Sequence, residues 1–380
     1  MQIFRLLSCL SLILLTNDAI VLACAWDQDT LAAEAKGIPD VLHIVTGRFE
    51  RNPPLYYELR LKRVTAELRT DPGQLENYDN AGVACDHLKR HDEALAWMAK
   101  KKLQLDRMPH GTAERREHMY RYLANTGTFW SHRWIRNGAN RKRISEMKTA
   151  RKFIAEAIAL NPNAHFGREK YQLRAMDWVI SPPAKPTKAE MARDGSRAGL
   201  PNILGVEDTM FDAPAAIKGL SGIIVLGNSW ENVDLFNTLA KCIQADEERS
   251  SVEYLARLRA AELVDAGRKS LLPTAPSGAK LKSLIKNHMI ALHDPQLREL
   301  EGTYTSLRKE ADQWQAHRTA YMVERLKAGR HPDTDPSFWR DYREAPAPGL
   351  AEQEEDEWAG VLFVFALLAL GVFVFIRKKS

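Results

Sequence analysis

The chain has 380 residues, 45% of them apolar and 27% charged, a composition ordinary for a folded globular protein with material for two or three domains. Its 54 basic residues nearly balance 49 acidic ones, and the formal charge of +5 is too even a mixture for a protein devoted to nucleic acid.

The N-terminus carries Arg5, an apolar stretch over 6–15 and then Ala23-Cys24-Ala25, the small-x-small pattern of a secretory signal peptide spanning 1–25. The mature chain then begins near Trp26. A lipidated Cys24 after Val21-Leu22-Ala23 is an alternative, as is an uncleaved anchor, although Asn17 and Asp18 interrupt its short apolar core. Residues 26–52 read as a helical lead-in, with one or two short helices between Leu31 and Phe49 that end at Gly47. Proline suits a first helical turn, so Pro53 and Pro54 open the next helix, and Asp71-Pro72 closes it.

Counting from Gly82 gives a fixed pattern. Tyr78 lies four residues before it, Ala81 one before and Ala94 twelve after. A second copy comes after it with Leu123, Gly127 and Trp130, then Ala150, Phe153, Ala157 and Pro162. Small residues at Gly82, Ala94, Gly127, Ala150 and Ala157 let paired helices approach closely while large apolar residues fill the spaces between them. This spacing resembles the tetratricopeptide repeat family, and the chain as a whole is similar to bacterial exported, membrane-anchored proteins of that family. The repeats are expected over 53–180, with first and second helices of one unit at 75–88 and 91–105 and the next unit starting near Tyr120. Gly127 and Ala150 are 23 residues apart where Gly82 and Ala94 are 12 apart, which implies an insertion of 11 residues around 136–147, between the paired helices. A further helix over 165–179 carries Phe166, Tyr171, Leu173 and Trp178 and caps the stack before Pro182, Pro183 and Pro186.

The second half, 181–345, has helical spacing without an alignable repeat. Thr187 and Glu190 form a capping box, 219–227 is a buried-looking aliphatic run, 230–242 and 252–266 read as an antiparallel pair, and a long amphipathic helix covers 296–328. Irregular stretches at 331–336 and 345–349 form a stalk leading to the membrane, with its acidic part over 346–358. Residues 359–376 contain no charge and precede Arg377, Lys378 and Lys379 in a basic tail over 377–380, the pattern of a transmembrane helix. At 1.5 Å per residue that run covers roughly 27 Å. The positive-inside rule puts the tail in the cytoplasm and the body in the periplasm or extracytoplasmic space, as a single-pass membrane protein. A sorting tail clipped after export is the competing account. The fold class expected is therefore all-α: a tetratricopeptide-like antiparallel helix-pair solenoid, an additional helical C-terminal half and one C-terminal transmembrane helix.

Of four cysteines, Cys9 leaves with the signal and Cys24 sits at the cleavage site, so Cys85 and Cys242 remain, Cys85 as a buried thiol. Cys85, Asp86, His87 and His91 form the most ligand-like cluster, its two histidines four apart. The turn at His91 and the divergent directions of Cys85 and His87 argue against a metal. Asp333 and Asp335, within His331-Pro-Asp333-Thr-Asp335-Pro, suit a hard cation or simply a turn. No phosphate loop, nucleophile elbow, Cys-x-x-Cys pair or zinc-protease helix is present, so no enzymatic activity and no cofactor are expected.

The family resemblance implies a concave groove lined by Asp79, Val83, Asp86 and His87 on one first helix and by Ala124, Thr128, Ser131 and His132 on the next, suited to a polar or basic peptide. The basic insertion, with Arg136, Arg141, Lys142 and Arg143, offers contact with an anionic partner. Together these imply a membrane-anchored scaffold that holds a protein or peptide partner on the non-cytoplasmic side, with no nucleic acid bound. The alternatives are an envelope structural protein binding an anionic polymer or lipid, and an enzyme with a site assembled from distant residues.

Overall fold

Helices make up the regular structure of the computed structural model, whose described residues are 26–162, 164–183, 203–204, 212–244, 250–286 and 294–347. Thirteen α-helices are described, with two 3-10 turns at Arg141–Arg143 and Ala164–Gly167, and no strand occurs among the described residues. Those up to Tyr342 belong to one compact unit and those from Arg343 onward to another.

The lead-in forms α1 (Gln28–Lys36) and α2 (Val41–Thr46), the latter closed by Gly47 in the left-handed region at φ 86°. A side chain at Gly47 would also meet the Trp230 ring, so the position requires glycine twice over. Proline at its first turn starts α3 (Pro54–Thr70). Then come α4 (Leu75–His87), α5 (His91–Leu105), α6 (Ala113–Arg136), α7 (Ile144–Leu160) and α8 (Arg168–Ile180), each packed on the next in a repeat-like stack. A methyl group on Gly82 would lie 2.9 Å from Met98 and 3.0 Å from Phe129, and one on Gly127 would lie 2.9 Å from the Ala150 carbonyl. Those two contacts are why the small residues recur.

The second half contributes α9 (Ala213–Leu226), α10 (Val233–Gln244), α11 (Ser250–Asp265), α12 (Gly278–Lys286) and α13 (Asp294–Lys327). It is joined to the repeats through α9 on α8, while α2 packs on α9, α11 and α13 and α13 reaches α3.

Several expectations are corrected. α6 begins at Ala113, before Tyr120, because the Thr112 hydroxyl accepts the Arg115 N–H and caps the helix. Much of the expected insertion is helix, since α6 runs on to Arg136 and leaves a short turn before α7. The 331–336 stretch is no stalk: His331 and Phe338 are buried, Phe338 in a cluster with Tyr56, Tyr57, Met322 and Leu326.

Membrane anchoring is likewise not supported. Among the described residues no helix is long and apolar enough to cross a membrane. The 34-residue α13 is dense with charge, and the aliphatic α9 has only 14 residues. The expected transmembrane helix at 359–376, its basic tail, the signal peptide at 1–25 and the capping box at Thr187 lie outside the described residues. The single-pass topology, the membrane as partner and the extracytoplasmic placement of the body therefore lose their structural footing.

Candidate metal centre

The turn between α4 and α5 is tight. Lys89 takes a positive φ of 64°, its N–H donates to the Asp86 carbonyl at 2.9 Å, and the Arg90 N–H donates to the Cys85 carbonyl at 2.8 Å. This geometry fixes Asp86 at the end of one helix against His91 at the start of the next. His132 reaches the same point from the C-terminal half of α6, which packs on both.

The Asp86 carboxylate therefore meets two imidazoles. His91 Nδ1 lies 2.9 Å from Oδ1, and His132 Nδ1 lies 2.8 Å from Oδ1 and 2.6 Å from Oδ2. All three residues are buried, and one donor atom from each falls within 4.8 Å of the others. Burial alone would raise the carboxyl pKa, yet the charge and hydrogen bonds of His132 and His91 outweigh it and hold Asp86 well below the usual range. His132 Nε2 is buried without a hydrogen-bond partner among the described residues. One carboxylate and two imidazoles form a donor set for a divalent first-row transition metal. Without an ion the same atoms satisfy one another as a hydrogen-bonded triad.

The remaining members of the sequence cluster point elsewhere. The His87 ring stacks on Tyr57 at 4.1 Å, and burial depresses its pKa to about 4. Burial likewise pushes the Cys85 thiol up to about 12, leaving a core group and not a thiolate ligand. Cys242 is buried and free as well. Asp333 is bonded to Arg60 at 2.5 Å, and Asp335 is paired with Arg330 at 2.6 Å.

The expected groove residues are all placed inside the molecule except that His87 retains partial exposure. Asp79 accepts from Lys101 and from Asn125, Val83 joins the cluster around Met98 and Phe129, and Thr128 Oγ1 accepts from Gln172. Ala124 packs with Trp26, and Ser131 is fully buried. Of the eight, the structure joins Asp86 and His132 directly. The basic residues of the 136–143 turn have local partners: Arg141 donates to the Val179 and Ile180 carbonyls at the end of α8, and Arg143 pairs with Glu146. Lys142 is exposed on the 3-10 turn, and Arg136 is half-buried.

Sequence reasoning puts Asp86 and His132 on neighbouring groove positions but does not connect His132 with His91. The signal is present in the repeat register, since Asp86 lies four residues after Gly82 and His132 five after Gly127. The expectation of no enzymatic activity is also corrected, because a buried Asp-His-His set assembled from three helices supplies catalytic potential that no linear motif reveals.

The fold and this site define an all-helical, repeat-packed protein with a buried carboxylate-imidazole cluster. Comparison with protein-family models, with curated proteins and with solved structures gives no match.

Proposed function

We propose that this protein binds a divalent transition-metal ion through Asp86, His91 and His132. The observation that carries the reading is the convergence of three donor atoms, from three helices, within 4.8 Å of one another in a buried site. The tight α4–α5 turn and the packing of α6 hold the donors in place, so binding needs little rearrangement. Three protein donors leave positions open for water or a substrate oxygen, the arrangement that supports Lewis-acid and hydrolytic chemistry.

The test is stoichiometric binding. Protein stripped with a chelator and titrated with Zn²⁺ or Co²⁺ takes up one equivalent, and Co²⁺ gives the visible spectrum of imidazole coordination. The thermal midpoint rises with metal, since an ion at a hundredfold its Kd contributes about 2.7 kcal/mol. His132→Ala abolishes uptake, while His87→Ala, which alters the ring stacked on Tyr57, retains it. Absence of stoichiometric uptake by the parent chain, or its persistence in a His91→Ala/His132→Ala variant, refutes the reading.

A further inference from the structure

One face of the repeat stack already holds a polypeptide. Asn125 of α6 clamps the Trp26 backbone on both sides: its Oδ1 accepts the Trp26 N–H at 2.6 Å, and its Nδ2 donates to the Trp26 carbonyl at 3.0 Å. Two residues along the segment, the Gln28 N–H donates to Asn80 Oδ1 on α4 at 3.1 Å. Two asparagines on successive first helices thus read main chain, which any sequence offers. Side chains supply selectivity. The Trp26 ring is 1% exposed, edge-on to Tyr120 at 5.8 Å and beneath the Arg168 guanidinium at 5.0 Å, while Asp27 reaches Arg60 at 2.8 Å.

Past Thr30 the segment turns outward, and Leu31 is among the most exposed large apolar residues described. Lys36 and Gly37 are exposed, and no described atom lies within 4 Å of where a side chain at Gly37, at φ 92°, would sit. The ion pair at this end, Lys36 with Glu50 at 3.4 Å, is exposed on both sides and holds it weakly. A strongly anchored tip, exposed residues after it and a left-handed glycine at the far end are the parts an exchangeable segment needs.

We propose that the face formed by α3, α4, α6 and α8 is a recognition site for a Trp-Asp-x-Asp segment that opens a helix, that residues 26–30 are its resident ligand, and that the same segment of a second copy occupies it when the resident one is displaced. The tether gives the resident segment an effective concentration in the millimolar range, so the parent chain stays closed at micromolar concentration.

Trans-complementation of full-length variants tests this. Trp26→Ala has an intact site and a defective segment, whereas Asn125→Ala has a defective site and an intact segment. Light scattering should find each variant monomeric alone and a heterodimer in their mixture. A labelled synthetic peptide of residues 26–36 should bind Trp26→Ala at least about tenfold more tightly than the parent chain, which its own segment blocks. Gln28→Pro serves as a milder companion, because it removes only the N–H donated to Asn80 and proline is tolerated at a first helical position. A mixture that stays monomeric, together with peptide binding no tighter in Trp26→Ala and Gln28→Pro than in the parent, overturns the proposal. Asp86, His91 and His132 are unchanged throughout, so the outcome is independent of metal binding.

Discussion

Asp234 is the clearest single-residue test of the structure. Its carboxylate is 1% exposed and accepts from the Ser270 hydroxyl at 2.6 Å and the Leu271 N–H at 2.7 Å, with no cation paired to it among the described residues. Burial outweighs those two hydrogen bonds and raises the pKa to about 6. A raised folded-state pKa means that the native protein holds the proton more tightly than the unfolded chain. Asp234 therefore lowers stability as pH rises from about 4 to 6, and its penalty is complete above that window. Asp234→Asn keeps an acceptor for Leu271 and removes the charge. Urea midpoints at pH 4.5 and 7 should show the variant gaining on the parent with rising pH, by up to about 2 kcal/mol. Equal pH slopes would show that Asp234 is ionised without cost.

At the scale of elements, the helix pairs depend on glycine at one kind of position and tolerate it at another. A methyl group at Gly127 would meet Ile154 at 2.8 Å and the Ala150 carbonyl at 2.9 Å, and backbone cannot step aside. Gly127→Ala should therefore cost about 1–3 kcal/mol despite its better helix propensity. Gly302, exposed on α13, has no described atom within 4 Å of where a methyl group would sit, so Gly302→Ala should stabilise by up to about 1 kcal/mol. Denaturant melts of the two variants check opposite signs from one chemical change. The same contrast explains what was legible in the sequence. Close helix approach imposes a local residue-size requirement, so the Gly82 and Gly127 registers announced their helices. The role of 331–338 was hidden because His331-Pro-Asp333 carries ordinary turn chemistry, and only the length and path of α13 bring it back onto α3. α12 had no distinguishing signal in a polar stretch. At the candidate site Asp86 and His91 stood out by proximity, whereas His132 joins them solely through the packing of α6, 41 residues beyond His91.

Across the whole molecule, the N-terminal segment and the C-terminal end of the helical body are tied to α3 by one buried cation. Arg60 is fully buried and bonds Asp27 at 2.8 Å, Asp29 at 2.8 Å and Asp333 at 2.5 Å, while Arg63 reaches Asp333 at 2.6 Å. Tyr56 adds hydrogen bonds to Asp29 and Asp333. Three carboxylates face two guanidiniums, and the excess negative charge is relieved unequally. Burial and the Asp29 charge push Asp27 up to about 6 against the pull of Arg60. For Asp333 burial also raises the pKa, but the hydrogen bonds and charge of Arg60 prevail and bring it down to about 2. Replacing Arg60 by Met leaves these acids buried without their principal partner, so Arg60→Met should lose about 3–5 kcal/mol, well beyond an exposed ion pair. The diagnostic readout is where the protein loosens. Hydrogen exchange should accelerate together over 26–31 and 331–338, since both ends hang on the same guanidinium, while amides of α9–α11 keep their protection. Acceleration at one end alone would mean that Arg63 and Tyr56 hold the other without Arg60, and that the two termini are fastened separately.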